Sequence, residues 1–197
     1  MSGYDGSAGE QFSSGQVIVY VKKKSISAVS KKEQSRLQSE LGREVFRHGL
    51  LELCGLEGER EIIGKTSFGK PYLIRHPEIH YNISHSGSVA VCAFASCPVG
   101  VDIQKKVPVS AEKMARRFFS AKDMEVMLHS DDPEDTFFRI WTREESYAKW
   151  EGRGLPDNLG CEKKEGWCFE FVPEEGYCGA VWVEKETSVR ICLLPEE

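Results

Sequence analysis

No two cysteines of this chain stand in a C-x-x-C arrangement, although seven are present at positions 54, 92, 97, 161, 168, 178 and 192. An odd number without close pairing argues against a disulfide framework and against a structural zinc site, so reduced thiols are expected. Cys92 lies inside the apolar run Val89 to Ala95 and reads as core filler. No apolar run approaches the ~20 residues needed to cross a bilayer. Met1 to Gly15 is rich in Gly and Ser and lacks the charged-then-apolar pattern of a signal peptide. It reads as a disordered lead, and the chain is expected to be cytoplasmic. Cations do not dominate: 26 Lys and Arg face 31 Asp and Glu, a formal net charge of −5, which argues against a general nucleic-acid binder. A G-x-S-x-G nucleophile elbow is also missing.

What is present suits a soluble α+β protein. The 197 residues, 40% hydrophobic and 10% aromatic, can bury a sizeable core. Val17 to Val21 reads as a strand. Ser30-Lys31-Lys32-Glu33 has capping-box spacing, followed by Leu37, Leu41, Val45, Phe46, Leu50 and Leu53 at helical spacing and a stop at Gly55. Glu61 to Gly64 and Tyr72 to Ile74 read as strand fragments. His80 to Ser84 and Val89 to Ala95 read as an antiparallel pair joined through His85-Ser86-Gly87-Ser88. Ser110 and Ser120 open two short helices, and a longer one runs from about Pro133 to Glu151. Strands are expected near Trp167 to Val172, Tyr177 to Val183 and Val189 to Leu194. The order predicts two similar halves, 16–98 and 99–197, each a long helix on a small, mainly antiparallel sheet.

The residue that most demands a chemical account is Asp102, set in the β-branched run Val99-Gly100-Val101-Asp102-Ile103-Gln104. A buried carboxylate is costly unless a cation, a metal or several donors compensate it. Residues two apart on a strand share a face, so Asp102 and Gln104 point together while Val101 and Ile103 pack. Pairing with a core cation and ligation of a metal are both consistent with this pattern.

Three further segments carry candidate chemistry. Glu145 and Lys149 lie four apart on the predicted last helix, one turn beyond Trp141. They form either a surface ion pair or a carboxylate ligand and a proton donor sheltered by the tryptophan. Ser84-His85-Ser86 offers imidazole and hydroxyl donors to a phosphate, a Ser-His-Asp relay with Asp102, or merely satisfied backbone. Phe68-Gly69-Lys70-Pro71 presents bare backbone, an ammonium and a rigid ring. Lysines and arginines gather at Lys22 to Lys24, Lys31-Lys32, Lys105-Lys106 and from Lys113 to Lys122, and most are expected to be solvated surface.

Taken together and in order, Gly69-Lys70-Pro71, Asn82-Ile83-Ser84-His85-Ser86, Gly100-Val101-Asp102-Ile103, Trp141 through Glu145 to Lys149, and Gly152-Arg153-Gly154-Leu155 resemble the 4′-phosphopantetheinyl transferase family, of the monomeric type serving peptide and polyketide synthetases. Arg117-Phe118-Phe119-Ser120 fits the connecting region, and the resemblance spans about residues 30 to 183. It implies two pseudo-equivalent halves with the active site between them. It also implies transfer of the phosphopantetheine arm of coenzyme A to a serine of an acyl or peptidyl carrier protein, with release of adenosine 3′,5′-bisphosphate.

On the same resemblance, Asp102 and Glu145 hold Mg²⁺ (Mn²⁺ is the alternative), Glu145 is the candidate base, and Lys149 protonates the leaving group. Ser84 and His85 meet coenzyme A phosphates, and Gly69, Lys70 and Pro71 lie beside the adenine. The segment from about Gly152 to Val183 contributes to carrier docking. Three departures stand out. Gln104 occupies the place where relatives often have a third acidic ligand, Glu144 stands where they often have Lys, and Lys22 to Lys24 are the substitutes for a shorter basic N-terminal region. The rival readings are a non-catalytic binder of coenzyme A or carrier proteins and a hydrolase using Ser84 or Ser86 with His85 and Asp102.

Overall fold

Val17 to Val21 are all buried, and the reason is that the strand holding them lies between two layers. A computed structural model describes residues 15–27, 30–152 and 165–196. Its elements are β1 (Gln16–Lys23), α1 (Lys31–Cys54), β2 (Ile63–Lys65), β3 (Pro71–Leu73), β4 (His80–Ser86), β5 (Val89–Ala95), β6 (Val99–Lys105), α2 (Ala111–Phe118), α3 (Ala121–Leu128), α4 (Pro133–Glu151), β7 (Trp167–Phe171), β8 (Tyr177–Val183) and β9 (Ser188–Leu193). The chain is mixed α+β. One sheet has the order β4-β5-β1-β9, a second the order β6-β8-β7, and β2 and β3 form a separate hairpin.

Strand alternation builds the layers. From β1, Ile18 and Tyr20 pack with Leu41, Val45, Phe46, Leu50 and Leu53 of α1. Val17, Val19 and Val21 point the other way, into a core shared with Val101 and Ile103 of β6 and Val181 and Val183 of β8. On the outer side of the second sheet, Cys178 meets a cluster that includes Phe137, Phe138 and Ile140 of α4 and Ala115 of α2. Each fully buried side chain of this kind contributes roughly 1.5–3 kcal/mol, against a few tenths for an exposed ion pair, so apolar packing holds the layers together.

Local signals set the ends of the two long helices. Ser30 Oγ accepts the Glu33 amide at 3.2 Å, and Gly55 closes α1 in the left-handed conformation with φ 67°. Asp132 accepts the Asp135 amide at 2.9 Å, Pro133 fits the first turn of α4, and Gly152 ends that helix with φ 72°.

Two features depart from the sequence expectation. The first is β9, which lies in the 99–197 stretch yet returns to the first sheet and pairs parallel with β1, Val19 opposite Ile191. It covers the open edge of β1, and Val189 and Ile191 join the shared core. The second is that His85 and Ser86 belong to the strand and not to the turn. β4 continues to Ser86, and only Gly87 and Ser88 turn the hairpin, with Gly87 at φ 56°.

The physical reason lies in a seam between the sheets. β4 and β6 are edge strands of different sheets that run alongside each other in the same direction. The β6 amides of Val101, Ile103 and Lys105 donate to Asn82 Oδ1 (2.9 Å), Ser84 Oγ (3.2 Å) and Ser86 Oγ (3.0 Å). Polar side chains at every second position of β4 thus replace a backbone ladder and satisfy edge amides.

Candidate active site

The β4–β6 seam delivers Asp102 to a site walled by α4. Gly100 permits the approach: a Cβ there would overlap the Ser146 carbonyl oxygen and the Trp150 amide nitrogen. Asp102 is 2% exposed. Its Oδ1 accepts Ser84 Oγ and Lys149 Nζ, both at 2.7 Å, and its Oδ2 accepts Gln104 Nε2 at 2.9 Å. Three side chains singled out in the sequence, Ser84 from β4, Gln104 from β6 and Lys149 from α4, therefore meet on one carboxylate.

Glu145, one helical turn before Lys149, is 7% exposed. Among the described residues no side chain donates a hydrogen bond to it. Burial pushes its carboxyl up to about 7, the nearby Asp102 charge adds to this, and Lys149 partly offsets it. Two carboxylates are thus held close together, with Lys149 bound to only one of them. Among the described residues no three His, Cys, Asp or Glu side chains form a metal-binding group. The donor set is two carboxylates plus the Gln104 amide, whose nitrogen faces Asp102 and whose oxygen remains for another partner. An all-oxygen set with an uncompensated buried negative charge fits a hard divalent cation.

The shelter expected from Trp141 comes from elsewhere. That ring packs edge-on to Phe118 at 5.3 Å and stacks with Phe137, so it belongs to the α2–α4 core. Burial of Glu145 follows from the close seating of α4 on β6. Glu144, also buried, lies on the Arg143 side of the helix.

A cleft of about 230 Å³ lies between Lys149 and the turn before β3. Phe68, Gly69, Lys70, Pro71, Ala148, Lys149 and Gly152 line it. The Gly69-Lys70-Pro71 segment and Lys149, 78 positions apart at their nearest, thereby face one space, with Phe68 exposed at 64%. Lys70 does not extend into solvent. Its ammonium donates to the carbonyls of Trp150 (2.9 Å) and Val99 (3.2 Å), capping the end of α4, and burial lowers its pKa to about 8. A larger groove of about 830 Å³ beside α2 and α3 contains none of the candidate site residues.

Ser84 and His85 separate because neighbours on a strand point to opposite faces. Ser84 Oγ donates to Asp102 and accepts from Lys149 Nζ (3.0 Å) and the Ile103 amide. The half-buried His85 faces α1 near Gly42, and burial, reinforced by the charge of Lys149, pushes its imidazole below the ordinary range. A Ser84–His85–Asp102 relay is therefore not assembled. Of the N-terminal lysines, Lys22 and Lys24 pair with Glu44, and Lys23 pairs with Glu174 and Glu196. Arg153, Gly154 and Leu155 lie outside the described residues. The seam bonds of Asn82 and Ser86 and the capping role of Lys70 were not apparent from the sequence, although the Asn-x-Ser-x-Ser alternation is the signal a seam leaves.

Residues 98–175 match the 4′-phosphopantetheinyl transferase superfamily. Over that segment the chain is similar to this superfamily. The segment contains Asp102, Gln104, Glu145 and Lys149, the centre just described. The chain is 46% identical over 90 residues to the 4′-phosphopantetheinyl transferase Sfp of Bacillus subtilis (strain 168), covering 45% of this chain and 40% of the relative. It is 37% identical over 117 residues to another 4′-phosphopantetheinyl transferase of Bacillus subtilis, covering 58% and 52%. It is 32% identical over 130 residues to the L-aminoadipate-semialdehyde dehydrogenase-phosphopantetheinyl transferase of Mus musculus, covering 58% and 42%. The chain thus spans about half the length of the curated phosphopantetheinyl transferases it matches.

Proposed function

We propose that this protein transfers the 4′-phosphopantetheine arm of coenzyme A to a serine hydroxyl of an apo acyl or peptidyl carrier protein. The observation that carries this reading is that Lys149, paired with Asp102 and one helical turn from Glu145, lines the same cleft as the Gly69-Lys70-Pro71 turn. Such a cleft suits a nucleotide bearing a pyrophosphate: it offers bare backbone, a ring and the Lys149 ammonium, which is paired with Asp102.

In the reaction, the carrier serine oxygen forms a bond to the phosphorus that bears the pantetheine arm. The bond from that phosphorus to the bridging oxygen breaks, and adenosine 3′,5′-bisphosphate leaves. Glu145, a buried carboxylate one helical turn from Lys149, takes the serine proton. Lys149, which lines the cleft, gives a proton to the departing oxygen. Gly69 and Pro71 seat the adenine, while Lys70 holds their turn against α4. His85 serves the phosphates as a neutral donor.

Asp102 and Glu145 would hold a magnesium ion, with the Gln104 amide oxygen as the third donor; the ion supplies positive charge that offsets the pyrophosphate oxygens. Lys and Arg outside the pocket, including Lys113, Arg116 and Arg117 on α2, attract an acidic carrier. The chain acts as a cytoplasmic monomer, with α1 on the first sheet and α4 on the second as two comparable halves around the site.

The test is chromatographic: coenzyme A, Mg²⁺ and an apo-carrier should yield adenosine 3′,5′-bisphosphate in step with carrier consumed. Binding of coenzyme A without that product would mean a non-catalytic binder, the reading that Gln104 in place of a carboxylate favours.

A further inference from the structure

Asp102 Oδ1 holds two donors at once. Lys149 Nζ and Ser84 Oγ each lie 2.7 Å from it and 3.0 Å from each other. The two ends of the ion pair differ in their freedom. Asp102 is 2% exposed on its strand, whereas the Lys149 side chain is 29% exposed and lines the cleft shared with the Gly69-Lys70-Pro71 turn. Glu145 lies one helical turn before Lys149, and its carboxyl, raised chiefly by burial, also feels the charges of Asp102 and Lys149. Two carboxylates and one ammonium thus share a small space, and only the ammonium has room to move.

Resting on the transferase reading above, we infer that the Lys149–Asp102 pair is a resting contact, and that Lys149 swings from Asp102 into the cleft when a divalent cation binds Asp102 and Glu145. A divalent cation and an ammonium on one carboxylate repel twice as strongly as two unit charges at the same separation. One ion pair that reaches solvent offers little against that repulsion. Asp102 cannot retreat, but Lys149 has a flexible four-carbon stem and the cleft beside it. The aspartate is compensated in both arrangements, by the ammonium in one and by the cation in the other. Ser84 Oγ loses its Lys149 partner in the same movement. For the reaction this sets an order. The group that gives a proton to the departing oxygen enters the cleft only once the cation is in place.

The experiment uses the full chain without coenzyme A or carrier. Crystals are grown in EDTA and in Mg²⁺, and the distance from Lys149 Nζ to Asp102 Oδ1 is read in both. It should stay near 2.7 Å in EDTA and exceed the ~3.5 Å reach of a hydrogen bond in Mg²⁺. Mg²⁺ affinity is measured by calorimetry for the wild type, for Lys149→Met, which keeps most of the stem and removes the charge, and for Lys185→Met, an exposed control. Lys149→Met should bind Mg²⁺ roughly tenfold tighter or more, because no ammonium has to leave the carboxylate, and Lys185→Met should stay within about twofold of wild type. If Lys149→Met does not fold, the crystallographic distance decides alone.

A distance that remains near 2.7 Å with Mg²⁺ seated on Asp102 would overturn the inference. Unchanged or weaker Mg²⁺ binding in Lys149→Met would overturn it too, as would a wild type that binds no Mg²⁺. The transferase reading fails separately, when no apo-carrier is modified. Both measurements above use the protein and the metal alone, so they still decide where Lys149 goes.

Discussion

The Lys149 ammonium sits 2.7 Å from Asp102 Oδ1, a link between α4 and β6 that is closed on the Asp102 side and about a third open on the Lys149 side. It is the cation that lets an aspartate occupy an apolar strand. Replacing Asp102 by Asn keeps the shape and removes the charge, so transfer should fall roughly 10²- to 10³-fold or more, the scale of losing an electrostatic group at a reacting centre. Replacing it by Ala also leaves Ser84, Gln104 and Lys149 without their acceptor. Urea unfolding should then show a further loss of about 1–3 kcal/mol, below the cost for a fully buried pair because Lys149 reaches solvent.

Glu145 predicts a pH dependence with a defined sign. Its carboxyl rises from 4.5 to about 7 on folding, so the folded chain keeps a proton that the unfolded chain has released. Stability is therefore highest below pH 4.5 with respect to this group, and it declines as the pH rises to about 7. Glu145→Gln removes that decline: thermal melts should show the variant gaining on wild type across this window, by at most on the order of 3 kcal/mol. Mg²⁺ should raise the wild-type melting point above neutrality and leave Glu145→Gln nearly unmoved. An equal response of both proteins would remove Glu145 from the ligand set.

Gln104 now donates to Asp102 Oδ2 at 2.9 Å. Gln104→Ala should reduce transfer less than either Asp102→Ala or Glu145→Ala, because the two carboxylates remain. Gln104→Glu should tighten Mg²⁺ binding, read by calorimetry without carrier, since a hard cation gains from a third charge. Equal losses at all three positions would make Gln104 a full ligand.

Gly100 tests the seating of α4. With no room for a Cβ against the Ser146 carbonyl and the Trp150 amide, Gly100→Ala must push the helix off β6. A stability loss of about 1–3 kcal/mol is expected, together with loss of transfer, because Glu145 and Lys149 move with the helix. Full activity in a stably folded Gly100→Ala protein would show that the helix–strand distance does not set the site.

Most of the elements were legible in sequence because their signals are local. The Ser30 cap, the Leu37 to Leu53 stripe and the Gly55 stop define α1, and Asp102 with Gln104 on one face follows from strand alternation alone. What was not legible depends on contacts between distant segments. His85-Ser86 looks like turn chemistry until β6 supplies amides that need acceptors. Trp141 shares a helical face with Glu145, yet α2 claims it through Phe118. Lys70 reads as an exposed ammonium, and only the arrival of the α4 terminus buries it. β9 looks like the last strand of the second half, but the free edge of β1 decides its place.

The central claim is covalent transfer, and intact-mass spectrometry of an apo-carrier protein tests it most directly. Incubated with this protein, coenzyme A and Mg²⁺, the carrier should gain the mass of one phosphopantetheine at a single serine, and the gain should vanish with Glu145→Ala or on adding EDTA. No gain across several apo-carriers, or a gain that persists in EDTA, would contradict the account.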